Sequence, residues 1–418
     1  MAGCRGPNII RVVLAAFAFN TPATDTFASH LQRTGMSAEI QGSCEAQFTP
    51  VQDALARNFA EHDEIGCAVT VYHDGKKVVD LWGGHMDTQR TKPWREDTLC
   101  IMYSIAKSMC ATSVHILADR GLVDLDAPVA DYWPEFAQAG KENVKVRHVI
   151  SHYCGVCFAD AGKPGDIYDY DRMIGLIEQQ APAWPAGTKG AYNTVNIGYL
   201  AGEIVRRVTG TPIAQFVEEN ICAPLGVDYQ IGVRESDLGR IADLTPNAKG
   251  NTMMKLGVSS EESPLSRAWK PLPQPFGTDT QNSREFRLAG IPSFGGFGEA
   301  RAMARIYAML GNGGELDGVR ILSPEAVARA TTLQWEDDVD GMTGRPMRYA
   351  MGYAKSTPVH AYMGPNPNAF GHLGSGGARA LADPARNLAA CFVSNYQSEG
   401  MGVGVRTEAV IEAIFASL

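Results

Sequence analysis

Strand signals near both ends of this 418-residue chain, with helical signals between them, constrain its fold more than any other feature. Toward the N-terminal end, residues 67–73 and 76–82 are apolar-rich runs separated only by Asp74-Gly75. Asp-Gly supplies the positive φ angles that a two-residue hairpin turn needs, so the pair predicts a β-hairpin. Toward the other end, residues 379–383 and 388–395 are strands around an Asp-Pro-Ala-Arg-Asn turn. Helical spacing is found at 48–59, from Ser104 to a stop at Gly121, and at 144–150, 172–180, 195–209, 213–221, 300–310 and 405–415. The expectation is an α/β fold: one antiparallel sheet built from both chain ends, flanked by helices, with a helical domain inserted. Residues 45–100 and 295–418 form mainly the α/β lobe, and 101–294 mainly the helical lobe and loops. The stretch 235–293, poor in periodicity and rich in Ser, Pro, Gly and Asn, holds long loops.

A net charge of −9 and the lack of any Lys/Arg run exclude a nucleic-acid partner. Nine cysteines are an odd number for a disulfide framework, and several stand in apparent core segments, so buried free thiols in a reducing compartment are expected. Cys154-Gly-Val-Cys157 follows His148 and His152, but no second ligand pair or thioredoxin-like context accompanies it. Neither metal nor cofactor is expected. The first 44 residues read as a non-structural extension on a cytoplasmic protein. Arg5 and Arg11 ahead of a short apolar run at 12–19, with Thr26-Phe27-Ala28 behind it, leave export through a cleaved leader as the alternative. The run is too short to span a membrane, and Met36 offers a second start.

Chemistry enters at Ser104-Ile105-Ala106-Lys107. A serine hydroxyl is a weak nucleophile until a base takes its proton. Residues three apart on a helix share a face, so the Lys107 amine reaches the Ser104 hydroxyl. Ile101-Met102-Tyr103 lead into the helix, and a nucleophile at a helix start has backbone N–H groups nearby for a developing oxyanion. Two further segments align with this pair. One runs from Trp184 through a Pro-Gly-rich turn to Tyr192-Asn193-Thr194 and Asn196; the other is Phe370-Gly-His372-Leu-Gly374-Ser375-Gly-Gly377.

Together these segments resemble the serine β-lactamase-like superfamily, which includes class C β-lactamases, D-alanyl-D-alanine carboxypeptidases and family VIII carboxylesterases. The resemblance runs from about residue 45 to the C-terminus, with Tyr192 placed 88 residues after Ser104 and His372 a further 180 on. It implies that Ser104 attacks an acyl carbonyl, with Lys107 and Tyr192 as its base. On that reading a cationic Lys107 lowers the Tyr192 pKa and the two titrate as a pair. The N–H groups of Ser104 and Ser375 form the oxyanion hole, and Gly374 lets substrate approach the strand edge without a Cβ clash.

Two positions depart from the lactamase pattern. Thr194 stands where an Asn amide usually holds an acylamino group, and His372 replaces a lysine, offering at most a titrating cation. Both favour esters over β-lactams. The reading is a serine hydrolase of short-chain esters, close in pattern to family VIII carboxylesterases, whose partner is a small-molecule ester. A β-lactamase or a D-amino-acid-specific peptidase or amidase is the alternative within the fold. A non-catalytic binding or assembly relative is the alternative outside catalysis. No Gly-x-Ser-x-Gly elbow supports an α/β-hydrolase.

Overall fold

The computed structural model describes residues 38–247, 263–358, 360–398 and 404–418. The leader-like stretch and Met36 lie outside these residues, as does the centre of the 235–293 loop region.

The predicted hairpin forms from β2 (Gly66–His73) and β3 (Lys76–Gly84). Asp74 and Gly75 turn it with φ of 49° and 74°, the left-handed pair that matches strand twist. Among the described residues nine strands make the main sheet. In sheet order they are β1 (Ile40–Cys44), β3, β2, β14 (Leu388–Ser394), β13 (Arg379–Asp383), β12 (Phe370–Leu373), β11 (Ala354–Lys355), β10 (Met347–Tyr349) and β9 (Trp335–Asp337). Every pairing is antiparallel, and β14 joins the two chain ends by pairing with β2 from Leu388↔His73 to Ser394↔Cys67.

Both faces of this sheet are covered, which is why β14 is an unbroken apolar run rather than an alternating one. Ala389, Cys391 and Val393 enter the larger core cluster, shared with helices α2 (Ile105–Asp119), α5 (Asn196–Thr209) and α6 (Ala300–Gly311). Leu388, Ala390 and Phe392 enter the second, shared with α1 (Thr49–Glu61) and α7 (Val405–Ala416). Each large side chain buried this way contributes about 1.5–3 kcal/mol. A smaller sheet, β4 (Cys100–Ile101), β6 (Gly296–Gly298) and β5 (Tyr229–Ile231), sits where the chain enters α2, and β7 (Glu315–Leu316) pairs with β8 (Val319–Arg320). Two further helices are α3 (Val146–Ile150) and α4 (Tyr170–Gln179).

The boundary expected at residue 44 moves. Residues Ile40–Cys44 are not an extension but an edge strand, in register with β3 from Ile40↔Gly83 to Cys44↔Val79. Its three central residues are exposed, so backbone hydrogen bonds rather than apolar alternation hold it. The predicted helix over 213–221 is regular only for Ile213–Val217 and widens to π turns at Glu218–Cys222. The eight described cysteines are unpaired thiols, seven of them buried. No helix among the described residues is long and apolar enough to cross a membrane.

Candidate active site

Ser104 occupies the junction between β4 and α2. The residue before it, Tyr103, has φ of 48°, a left-handed conformation that costs a non-glycine residue roughly 1–2 kcal/mol. The surroundings hold it there. The Tyr103 hydroxyl donates to Gln281 at 2.6 Å and accepts from Gln397 at 3.0 Å, and Met102 N–H donates to Gly296 O at 2.8 Å. Ser104 takes the N-cap position of α2, yet its side chain makes no cap hydrogen bond. The hydroxyl is therefore left for other work.

Lys107 supplies the partner. Its Nζ lies 3.1 Å from Ser104 Oγ and donates to Ser293 O at 2.8 Å. The side chain is 1% exposed, packed under the rings of Tyr192 and Phe294. Burial brings its pKa down from 10.5 to about 7, so a large share of the amine is neutral at pH 7. A neutral amine has two N–H bonds and one lone pair. With one N–H committed to Ser293 O, the lone pair is free to face the Ser104 proton. Ser293 is itself fixed, because its hydroxyl donates to Val195 O and accepts from Gly198 N–H.

Tyr192 is buried beside this pair. Its backbone N–H donates to Asp340 Oδ1 at 2.5 Å, and its ring packs against His152 (5.0 Å between centroids), Tyr349 (5.9 Å) and His372 (6.2 Å). Burial pushes the phenol pKa above its ordinary value, and the hydrogen bond with Ser104 offsets only part of that. The expectation of a phenolate stabilised by Lys107 is thus corrected. With Lys107 losing its charge on burial, there is no strong cation to lower Tyr192, and the phenol stays protonated.

His372 is buried beside Tyr192. It is 1% exposed, its Nδ1 is 2.9 Å from Leu373 O, and burial with Lys107 nearby lowers its pKa to about 3. It is neutral at pH 7, and among the described residues its buried Nε2 has no partner. Gly374 also has a packing role. A Cβ there would stand 2.6 Å from Met102 O, so the missing side chain lets the β12 end press on the turn that carries Ser104. Gly374 N–H donates to Ala378 O at 2.7 Å, which leaves Ser375 as the next free donor. Among the described residues, neither Ser104 N–H nor Ser375 N–H donates to a protein acceptor. Both residues line the same two cavities.

Those cavities flank Ser104. One, of about 620 Å³, also includes Tyr349, His372, Leu373 and Gly374; the other, of about 550 Å³, is walled by Trp269, Leu272, Phe276 and Phe294 with Thr194. Among the described residues the buried Thr194 hydroxyl has no partner. Asn193 and Asn196 turn away from the cavity and brace a loop, donating to Val156 O and Phe158 O. His148 Nδ1 accepts from Lys145 N–H, and His152 Nδ1 accepts from Asn193 N–H at 2.9 Å, so both histidines are committed to the protein. Sequence reasoning missed three supports: Ser293, Asp340 and the ring of His152. None has a local signature, since each acts on a residue at least 40 positions away.

Residues 51–414 match the profile of the beta-lactamase family. The chain belongs to that family. The beta-lactamase-type fold seen here is shared with a solved family VIII carboxylesterase at 37% identity, with a TM-score of 0.83, over 91% of this chain and 100% of that one. A penicillin-binding protein homologue from Caulobacter crescentus matches at 35% identity and a TM-score of 0.80, again over 91% of this chain and 100% of that one. Among curated relatives, the esterase/beta-lactamase LipL of Mycobacterium tuberculosis is 32% identical over 361 residues, 85% of this chain and 83% of LipL. Esterase EstB of Burkholderia gladioli is 27% identical over 417 residues, covering 93% of this chain and 99% of EstB. This protein is a serine hydrolase of the beta-lactamase family.

Proposed function

We propose that the protein is a carboxylesterase, cleaving small esters through an acyl-enzyme on Ser104. The observation that carries the reading is the buried, partly neutral Lys107 amine 3.1 Å from Ser104 Oγ, with Ser293 O orienting it. Lys107 takes the Ser104 proton as Oγ attacks the ester carbonyl. The oxyanion is held by the N–H groups of Ser104 and Ser375. When the tetrahedral intermediate collapses, the alcohol leaves with the proton, delivered from Lys107 through the neutral Tyr192 phenol. Water then repeats the sequence in reverse on the acyl-enzyme, with Lys107 again as base.

Esters rank above β-lactams because two lactam-binding features are weak. Thr194 cannot offer the paired donor and acceptor of an amide, and the neutral His372 does not replace the charge of the lysine usual at that strand position. Esterase names among the relatives support the ranking, and LipL, named for both activities, keeps lactam turnover as the second reading. A fluorophosphonate probe tests the nucleophile. It should add its phosphonyl mass to the peptide containing Ser104 and to no other; labelling that survives in Ser104→Ala refutes the assignment.

A further inference from the structure

The cavity on the His372 side of Ser104 contains charge that the hydrolysis scheme leaves unused. Its walls are largely apolar, from Met347, Tyr349 and Leu373, but Arg345, Arg348 and His360 also line it. The two arginines differ. Arg348 is balanced: its Nε stands 3.0 Å from Glu336, and its Nη1 donates to Ser356 O at 3.0 Å and Pro367 O at 3.1 Å. Arg345 has no ion pair and no side-chain hydrogen bond among the described residues. The buried carboxylate on its own loop, Asp340, is already taken up by the N–H groups of Tyr192, Met342 and Thr343 and by the Thr343 hydroxyl. His360 lies on the same wall with its Nδ1 buried and unpartnered. Burial and the Arg345 charge keep that imidazole neutral.

A half-buried guanidinium without a counter-charge, beside a neutral imidazole and apolar walls, is arranged to receive an anion. The planar fork of arginine matches a carboxylate with two parallel hydrogen bonds, and the reduced dielectric of the cavity strengthens them. A neutral histidine adds one donor. We infer that the preferred substrates are esters that carry a carboxylate, seated on Arg345 with His360 beside it. The chemistry at Ser104 rests on the carboxylesterase reading; the anion seat rests on the cavity. Arg345 and Ser104 line the same cavity, so one substrate can reach both.

The test pairs charged esters with neutral matches. 4-Nitrophenyl hydrogen glutarate against 4-nitrophenyl pentanoate places the anion on the acyl half. 4-Acetoxybenzoate against its methyl ester places it on the alcohol half. Arg345→Gln should raise KM for at least one anionic ester by about tenfold or more, the effect of one charge-assisted pair, while neutral esters stay within about twofold and report an intact site. Raising ionic strength from about 0.01 M to about 1 M should raise the wild-type KM for that anionic ester alone. Equal effects of Arg345→Gln on charged and neutral esters, or no effect on either anionic one, overturn the seat. Calorimetry separates this from the parent reading. If wild type hydrolyses no ester but Ser104→Ala binds 4-nitrophenyl hydrogen glutarate and Ser104→Ala/Arg345→Gln does not, the seat stands and the esterase reading falls. If neutral esters turn over and Arg345 is indifferent to charge, the esterase reading stands and the seat falls.

Discussion

Acylation should follow a single ionisation near pH 7, because the proposed base is a lysine that burial brings down to about 7. The active form is neutral Lys107. With that pKa, about a tenth of the enzyme is active at pH 6, half at pH 7 and nine-tenths at pH 8, so kcat/KM for a neutral aryl ester rises roughly tenfold between pH 6 and pH 8. It then stays level, since burial holds the Tyr192 phenol protonated and His372 titrates far below, at about 3. An ordinary lysine with pKa 10.5 would be only about 0.3% neutral at pH 8. Burial therefore raises the supply of base there by roughly 300-fold, while the shift represents about 5 kcal/mol of lost preference for the charged form. The assay is kcat/KM for 4-nitrophenyl acetate from pH 5.5 to 9 at fixed ionic strength. Lys107→Arg, charged throughout, should be inactive across the range. A flat profile for the wild type, or a limb still rising with unit slope at pH 9, would refute the neutral-lysine mechanism.

Three other outcomes are expected. Lys107→Ala and Tyr192→Phe should each slow acylation by orders of magnitude, and the double variant should be little worse than the poorer single, as for groups that act as one unit; multiplicative losses would mean independent roles. Gly374→Ala, whose Cβ would meet Met102 O at 2.6 Å, should lower kcat by about ten- to a hundredfold by displacing Ser375 and the Ser104 turn, with Tm falling; unchanged kcat would deny that contact its role. Acetyl to butyryl aryl esters should exceed a chromogenic cephalosporin by roughly a hundredfold in kcat/KM, about 2.7 kcal/mol, and Thr194→Asn should narrow the gap; equal efficiencies would promote the β-lactamase reading.

Elements with a strong local period were legible in the sequence, and so was the motif they carry. The Asp74-Gly75 hairpin, the helix after Ser104 and the β13–β14 pair all announce themselves through turn chemistry or apolar spacing. Strands β9, β10 and β11 do not, because two or three residues cannot display alternation; neighbouring strands impose them. Strand β1 was hidden because an edge strand with three exposed residues looks like a tail. The proposed catalytic residues could be read from spacing, but their ionisation could not. Lys107, Tyr192 and His372 owe their protonation states to burial by distant segments, and the sequence carries no direct record of depth.

The pairing of β2 with β14 also governs how this protein must be made. Val69 and Phe392 are register partners separated by 323 residues. A ribosome adding about 5–20 residues per second needs roughly 16 to 65 seconds to bridge that gap, whereas a hairpin such as β2–β3 closes in about 1–10 μs. The hairpin thus leaves the ribosome early, with its inner edge open for a strand not yet synthesised. A lone hairpin is marginal in water, so the nascent chain must be shielded from other unpaired edges during that interval. A stop codon before β14 removes the strand that joins β2 to β13 and so parts the hairpin from the rest of the sheet.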